Sequence, residues 1–237
     1  MATKPPDTLV VLAGGLGTRL RSVVPDLAKP MAPVAGKPFL EYLLRRWVRL
    51  GIERFVLSVG FKHETITNYF GESFEGVPIT YVIEHSPAGT GGGLLLSAAE
   101  VEGNFFALNG DTFFDVDVAE MVRIHEAHTA DWTFALFRSE DKERYMSVSV
   151  DGQGFIRAFG QAPDTASFLV NGGVYLIRKA AIDHLSVSQA PLSLESELLP
   201  SLLSSGARML GVEQKGSFID IGVPGDYARA AATILRG

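Results

Sequence analysis

Residues 9–38, LVVLAGGLGTRLRSVVPDLAKPMAPVAGKP, decide how the chain is read. An apolar strand over residues 9–13 runs directly into Gly14, Gly15 and Gly17. Thr18, Arg19 and Arg21 follow, then Lys29-Pro30 and Lys37-Pro38. Glycine lets backbone amides approach a ligand closely, and successive amides form an anion-binding concavity. Arg19, Arg21, Lys29 and Lys37 stand beside that turn. A plain strand-to-helix turn with solvated charges is the bland alternative. The coincidence of glycines with cations favours a loop that wraps a polyphosphate.

Outward from this stretch, strands and helices alternate. Strands are expected over residues 9–13, 54–60, 79–84, 105–109 and 132–137, with helices over 39–50, 64–70, 91–99 and 118–129 between them. This pattern implies an α/β fold with a mixed, mainly parallel central sheet and helices on both faces. Ligands of such folds bind at the carboxyl ends of the strands, and Gly14, Glu84, Gly89 and Asp111 lie just beyond such ends. In the second half, residues 147–150 and 155–159 flank Asp151-Gly152, a hairpin signal. A strand over 168–177 is interrupted by Asn171-Gly172-Gly173, and glycine inside a strand often marks a close approach. A helix over 194–204, short strands over 208–212 and 218–221, and a helix over 226–235 close the chain. The whole reads as a single domain whose later half forms a lid over the earlier half.

The composition excludes several classes. The net charge of −6 argues against nonspecific nucleic-acid binding, and the positive charge is local to the first forty residues. Cysteine is absent, so disulfides and thiolate metal sites are ruled out. The start, MATKPPDT, has no apolar signal core, and no apolar run reaches the length of a membrane span. A cytoplasmic protein with neither nucleic acid nor membrane as partner is expected. His125-Glu126-Ala127-His128 has i, i+3 spacing rather than the i, i+4 of a zinc helix, and is read as a solvated helix face. Trp47 and the phenylalanines are read as core.

Two phosphate-loop fingerprints fail on residues. The dinucleotide pattern needs a glycine at position 20, which is Leu20, and an acidic residue closing the second strand, which ends at Gly60. The NTPase pattern needs Ser or Thr after Gly-Lys, and Gly36-Lys37 is followed by Pro38. LAGGLGTRLR followed by LAKPMAPVAGKP instead resembles the signature of the sugar-1-phosphate nucleotidyltransferases. The resemblance continues through Asn109–Asp111, through NGGVY at 171–175 and through FIDIGVPGDY at 218–227, so it spans nearly the whole chain. It implies a Rossmann-like, glycosyltransferase-A-like domain. About residues 1–137 would form the nucleotide-binding half, and about 138–237 the sugar-binding half and lid. It also implies attack of a sugar phosphate on the α-phosphate of a nucleoside triphosphate, with Mg²⁺ required and pyrophosphate released.

Such chemistry brings two anions together, so it should rest on positioning and electrostatic stabilisation. By the resemblance, Arg19, Lys29 and Asp111 are catalytic. Arg19 would hold the β- and γ-phosphates, and Lys29 would bridge the attacking phosphate and the α-phosphate. Arg21 and Lys37 are left without an assigned role, and Lys37 reads equally as a solvated charge at a helix start. Asp111 and Asp220 each end a strand beside a glycine; together they fit a magnesium site, and the resemblance assigns both to the metal. Asp115 and Asp117 are read as loop and helix-cap residues. The nucleotide would be bound by Leu12, Ala13, Gly14, Gly15, Gly17, Thr18, Arg19, Glu84, Gly89, Thr90, Gly91, Asn109 and Gly110. Tyr145, Asn171, Gly172 and Glu195 would bind the sugar.

Glu84 sits where relatives using thymidine or uridine nucleotides often carry glutamine. A carboxylate only accepts hydrogen bonds, and guanine offers adjacent N1–H and N2–H₂ donors, whereas uracil and thymine offer one. This favours GTP, with Gly91, Gly92 and Gly93 leaving room for the purine. SVGFKHE at 58–64 and NGDTFFDVD at 109–117 resemble the guanylyltransferase branch that acts on heptose 1-phosphates. The alternatives are a uridylyl- or thymidylyltransferase on mannose, glucose or N-acetylmuramate 1-phosphate, and a non-catalytic NDP-sugar sensor. A homo-oligomer is compatible with any of them. The chain departs from the family at Met146, where a glycine is common, and at Gln161-Ala162, where Glu-Lys is common. Arg144, Arg157 and Arg178 are the candidates to supply the missing cation.

Overall fold

The structure is a computed structural model describing residues 5–15, 27–160, 163–187 and 191–235. The first half runs β1 (Thr8–Ala13), a 3-10 turn (Lys29–Met31), β2 (Pro33–Val34), β3 (Lys37–Pro38), α1 (Phe39–Arg49), β4 (Arg54–Val59) and α2 (His63–Phe70). It continues through β5 (Ser73–Phe74), β6 (Val77–Ile83), α3 (Gly89–Ala98), β7 (Phe105–Asn109), β8 (Thr112–Phe114), α4 (Val118–Ala127) and β9 (Trp132–Ser139). The second half holds β10 (Ser147–Val150), β11 (Ile156–Gly160), β12 (Phe168–Ile177), a π turn (Leu194–Leu198) and α5 (Leu199–Ser204). β13 (Met209–Glu213), β14 (Phe218–Asp220) and α6 (Pro224–Ile234) complete it.

Strand β1 is apolar on both faces because it lies in the middle of the sheet, parallel to β4 on one side and β7 on the other. Leu9 and Val11 face a core with Phe39, Leu43, Leu44 and Trp47 of α1, and Val10 faces a second core with Leu94 and Ala98 of α3. The α1 contacts recur at i, i+4, i+5 and i+8, one stripe of a helix. Strand order β11-β10-β12-β7-β1-β4-β6-β5 steps outward from β1 to β6 and then returns to β7 on the other side of β1. The switch point, where a parallel sheet opens a crevice, therefore falls between the ends of β1 and β7. Gly14 and Asp111 follow those ends.

The second half enters the same sheet. β12 runs antiparallel to β7, pairing Tyr175 with Ala107, and β9 and β13 continue beyond it. The hairpin at 150–156 forms as expected, but its left-handed glycine is Gly154 (φ 86°) rather than Gly152. Asp151 Oδ1 accepts the Gln153 and Phe155 amides at 2.8 and 3.0 Å, which closes that turn.

His125 corrects the expectation of a solvated helix face. It is 2% exposed, and its Nδ1 lies 2.8 Å from Thr133 Oγ1. Among the described residues no group of three or more His, Cys, Asp or Glu side chains could hold a metal. Burial, aided by Arg178, pushes the His125 pKa from 6.5 down to about 4. The folded form thus prefers the neutral ring. Its contribution is full above the unfolded pKa and is lost as pH falls from about 6.5 toward 4, up to about 3 kcal/mol. Thermal unfolding of wild type and His125→Gln across this range should show the steeper loss in the wild type.

Candidate active site

A cleft of about 660 Å³ opens at the switch point. Leu12, Ala13, Gly14 and Gly15 form one wall, and Asn109 and Asp111 form the next. Glu84, Gly89 and Thr90 come from the end of β6 and the start of α3, Lys29 from the 3-10 turn, and Glu195 from the π turn. Eleven of the sequence-derived site residues thus meet in one cavity. Gly110 lies beneath it, donating its N–H to Leu12 O at 2.9 Å. Gly17, Thr18, Arg19 and Arg21, like Gln161 and Ala162, lie outside the described residues.

Glu84 is held rigidly. Ser58 Oγ donates to its Oε1 at 2.7 Å, and the Ala88 amide donates to its Oε2 at 3.0 Å. A Cβ on Gly14 would fall on Glu84 Oε1, and one on Gly93 would sit 2.9 Å from it. These glycines leave space for the carboxylate. Gly91 differs from its expected role: it is buried, and the Leu192 side chain and backbone fill the space beside it. Ser58, a polar residue inside the apolar strand FVLSV, was the available signal for this support and was missed.

From Lys29 and Asp111 in the cleft wall a row of alternating charges runs to the residues beside it. Lys29 Nζ hydrogen-bonds Asp111 Oδ2 and lies 3.9 Å from Asp220 Oδ1. Arg144 Nη2 lies 3.5 Å from Asp220 Oδ2 and 2.5 Å from Asp226 Oδ2, and Arg229 binds the other Asp226 oxygen. Burial raises the Asp226 carboxyl, but Arg144 and Arg229 more than offset it and hold its pKa below the ordinary value. The two aspartates converge because β8 and β14 pair antiparallel, setting Thr112 opposite Asp220, while the Ile221 amide donates to Asp111 O at 3.0 Å.

Residues 8–237 match the nucleotidyl transferase family. The chain belongs to that family. A D-glycero-alpha-D-manno-heptose 1-phosphate guanylyltransferase of Campylobacter jejuni is 38% identical, over 92% of this chain and 96% of its own length. One of the same name from Aneurinibacillus thermoaerophilus is 40% identical, over 93% of this chain and 95% of its own. The crystal structure of HddC from Yersinia pseudotuberculosis, complexed with GMP-PN, has a TM-score of 0.81 at 30% identity, covering 95% of this chain and 98% of that one.

In this nucleotidyl transferase the oxygen-only pair Asp111 and Asp220 fits Mg²⁺, which takes one or two carboxylates and completes its shell with substrate phosphate and water. Both carboxylates already share one cation, the Lys29 ammonium. Of the three candidate arginines, Arg157 is bound to Asp151 and Arg178 donates to Ala130 O at 2.8 and 2.9 Å. Arg144 alone of the three stands at the aspartates. Lys37 pairs with Glu41 at 2.8 Å, Asp115 binds Arg46, and Asp117 caps α4 by accepting the Glu120 amide at 2.9 Å.

Three expected sugar contacts are placed differently. Asn171 Nδ2 donates to the buried Tyr175 hydroxyl at 2.8 Å, and its Oδ1 accepts the Gly173 amide at 3.0 Å, so both ends are engaged within β12. Gly172 is buried, and a Cβ there would overlap the Phe114 ring. Tyr145 packs edge-on to Phe137 under the Arg144 guanidinium, and burial pushes its pKa up to about 12. None of the three borders the cleft, whereas Glu195 does.

Proposed function

We propose that this enzyme transfers GMP from GTP to D-glycero-α-D-manno-heptose 1-phosphate, giving GDP-heptose and pyrophosphate. The observation that carries the reading is the single cleft that joins the glycine turn, a fixed carboxylate at Glu84 and the Lys29–Asp111 pair, with Asp220 next to Lys29. The names of the two relatives above support the choice of GTP and heptose. A phosphate oxygen of the sugar attacks the α-phosphorus of GTP, and the bond to the β-phosphate oxygen breaks. Lys29 draws the two phosphates together. Asp111 and Asp220 would hold Mg²⁺, which supplies neutralisation of the charge building on pyrophosphate. Glu84 accepts from guanine N1–H and N2–H₂. Glu195 accepts from a sugar hydroxyl, and Arg19 grips the β- and γ-phosphates. No described helix is long and apolar enough to cross a membrane. A cytoplasmic enzyme, where GTP and sugar phosphates are at hand, completes the proposal.

Pyrophosphate release over a panel of GTP, UTP, dTTP and CTP, each with heptose or mannose 1-phosphate, tests it. GTP with the heptose is expected to exceed every other pair. Turnover with UTP or dTTP but not GTP would remove the guanine assignment and leave the reaction. Release from no pair would favour a sensor that binds NDP-sugars without turnover.

A further inference from the structure

The start of α3 is tied to the chain ahead of α5. Leu192 donates its amide to Ala88 O at 2.8 Å, and its carbonyl accepts the Gly91 and Gly92 amides at 2.9 and 3.3 Å. The first amides of a helix are the ones a phosphate would use. Here two of them are already taken by Leu192. The Thr90 hydroxyl completes the strap: it accepts the Leu194 amide at 2.9 Å and donates to Glu195 Oε2 at 3.1 Å. Its one proton is therefore committed to Glu195.

Glu195 lies in the first part of the π turn, a distortion that recurs at functional sites. Ser193 fixes that turn by accepting the Ser196 amide at 3.2 Å, and the Ser193 amide donates to Glu197 at 2.8 Å. One Glu195 oxygen is thus anchored on Thr90 while the residue borders the cleft.

We propose that Thr90 is a positioning residue for the sugar rather than a contact of the nucleotide. It holds one oxygen of Glu195 so that the other meets a sugar hydroxyl. This rests on the guanylyltransferase reading, in which Glu195 faces the sugar. It differs from the sequence-level expectation, which placed Thr90 with the nucleotide.

Thr90→Val keeps the shape and removes the hydroxyl; Thr90→Ser keeps the hydroxyl. Thr90→Val should raise the KM for the sugar phosphate roughly 10-fold, the scale of a hydrogen bond to a charged group, and leave the KM for GTP within about 2-fold. Thr90→Ser should restore the wild-type KM. In a Glu195→Gln background, Thr90→Val should add little, because both changes remove one interaction. A rise in the GTP KM that matches the rise for the sugar, or an unmoved sugar KM, would overturn the assignment. A lowered melting temperature with both KM values unchanged would likewise reduce Thr90 to a structural tie. A wild-type enzyme silent across the whole panel would count against the guanylyltransferase reading itself. An active wild type with an unaffected Thr90→Val variant would count against Thr90 alone.

Discussion

Replacing Lys29 with methionine is expected to lower kcat/KM roughly 10²- to 10³-fold, the scale seen when one preorganised transition-state donor is lost. Pyrophosphate release at saturating GTP and Mg²⁺ would measure it. The argument starts with the backbone. Pro30 and Met31 are buried, and the Met31 amide donates to Ala28 O at 2.8 Å, so the turn that carries Lys29 cannot drift. Its side chain is 17% exposed, and its ammonium bonds Asp111 beside Asp220. A cation fixed there meets both phosphates without reorganising as charge shifts. The thioether side chain would fill similar volume and leave two carboxylates facing each other without their shared cation. Mg²⁺ should then raise the melting temperature of Lys29→Met more than that of the wild type. Activity within about 3-fold of wild type would remove Lys29 from the mechanism, since such a change is worth well under one preorganised bond.

The floor of the site shows where sequence reasoning reaches and where it stops. Strand β1 and the helix after Lys37-Pro38 were legible because apolar runs and helical spacing are local patterns. Asp111 and Asp220 were paired through a resemblance, and neither neighbourhood alone predicts their meeting. It depends on β8, three residues long, pairing with β14 about one hundred positions later. No periodicity can reveal a strand that short. His125 misled for a related reason. Val118, Met121, Val122 and His125 form one stripe of α4, and Met121 and His125 are buried on it, yet histidine's polarity pointed to solvent. Asn171 and Gly172 were assigned to the sugar through the resemblance. In the fold, Asn171 bonds Tyr175 and Gly173, keeping one N–H and one lone pair, and Gly172 admits the close approach of Phe114. The Thr90–Glu195 bond joins positions 105 apart and left no sequence signal.

Base choice is the second large effect. Glu84→Gln is expected to lower kcat/KM for GTP about 100-fold, since a site built around a hydrogen-bond pattern rejects ligands that leave its groups unpaired. The fold should tolerate the change. The Ala88 amide can only donate, so the substituted amide side chain must keep its carbonyl oxygen there. Its NH₂ group then falls beside Ser58, whose hydroxyl can rotate from donor to acceptor. Gly14 and Gly93, which lack a Cβ, leave room for the amide where the carboxylate stands. The edge that met guanine thus changes from two acceptors to one acceptor and one donor. A donor set against N1–H or N2–H₂ leaves buried groups unpaired, costing about 1–3 kcal/mol. Uracil, with one N3–H donor beside carbonyl oxygens, matches the amide better, so UTP turnover should rise as GTP turnover falls. The GTP-to-UTP ratio of kcat/KM reads both movements at once. An unchanged ratio in a variant that melts like wild type would move guanine recognition away from Glu84 and onto backbone groups of the cleft.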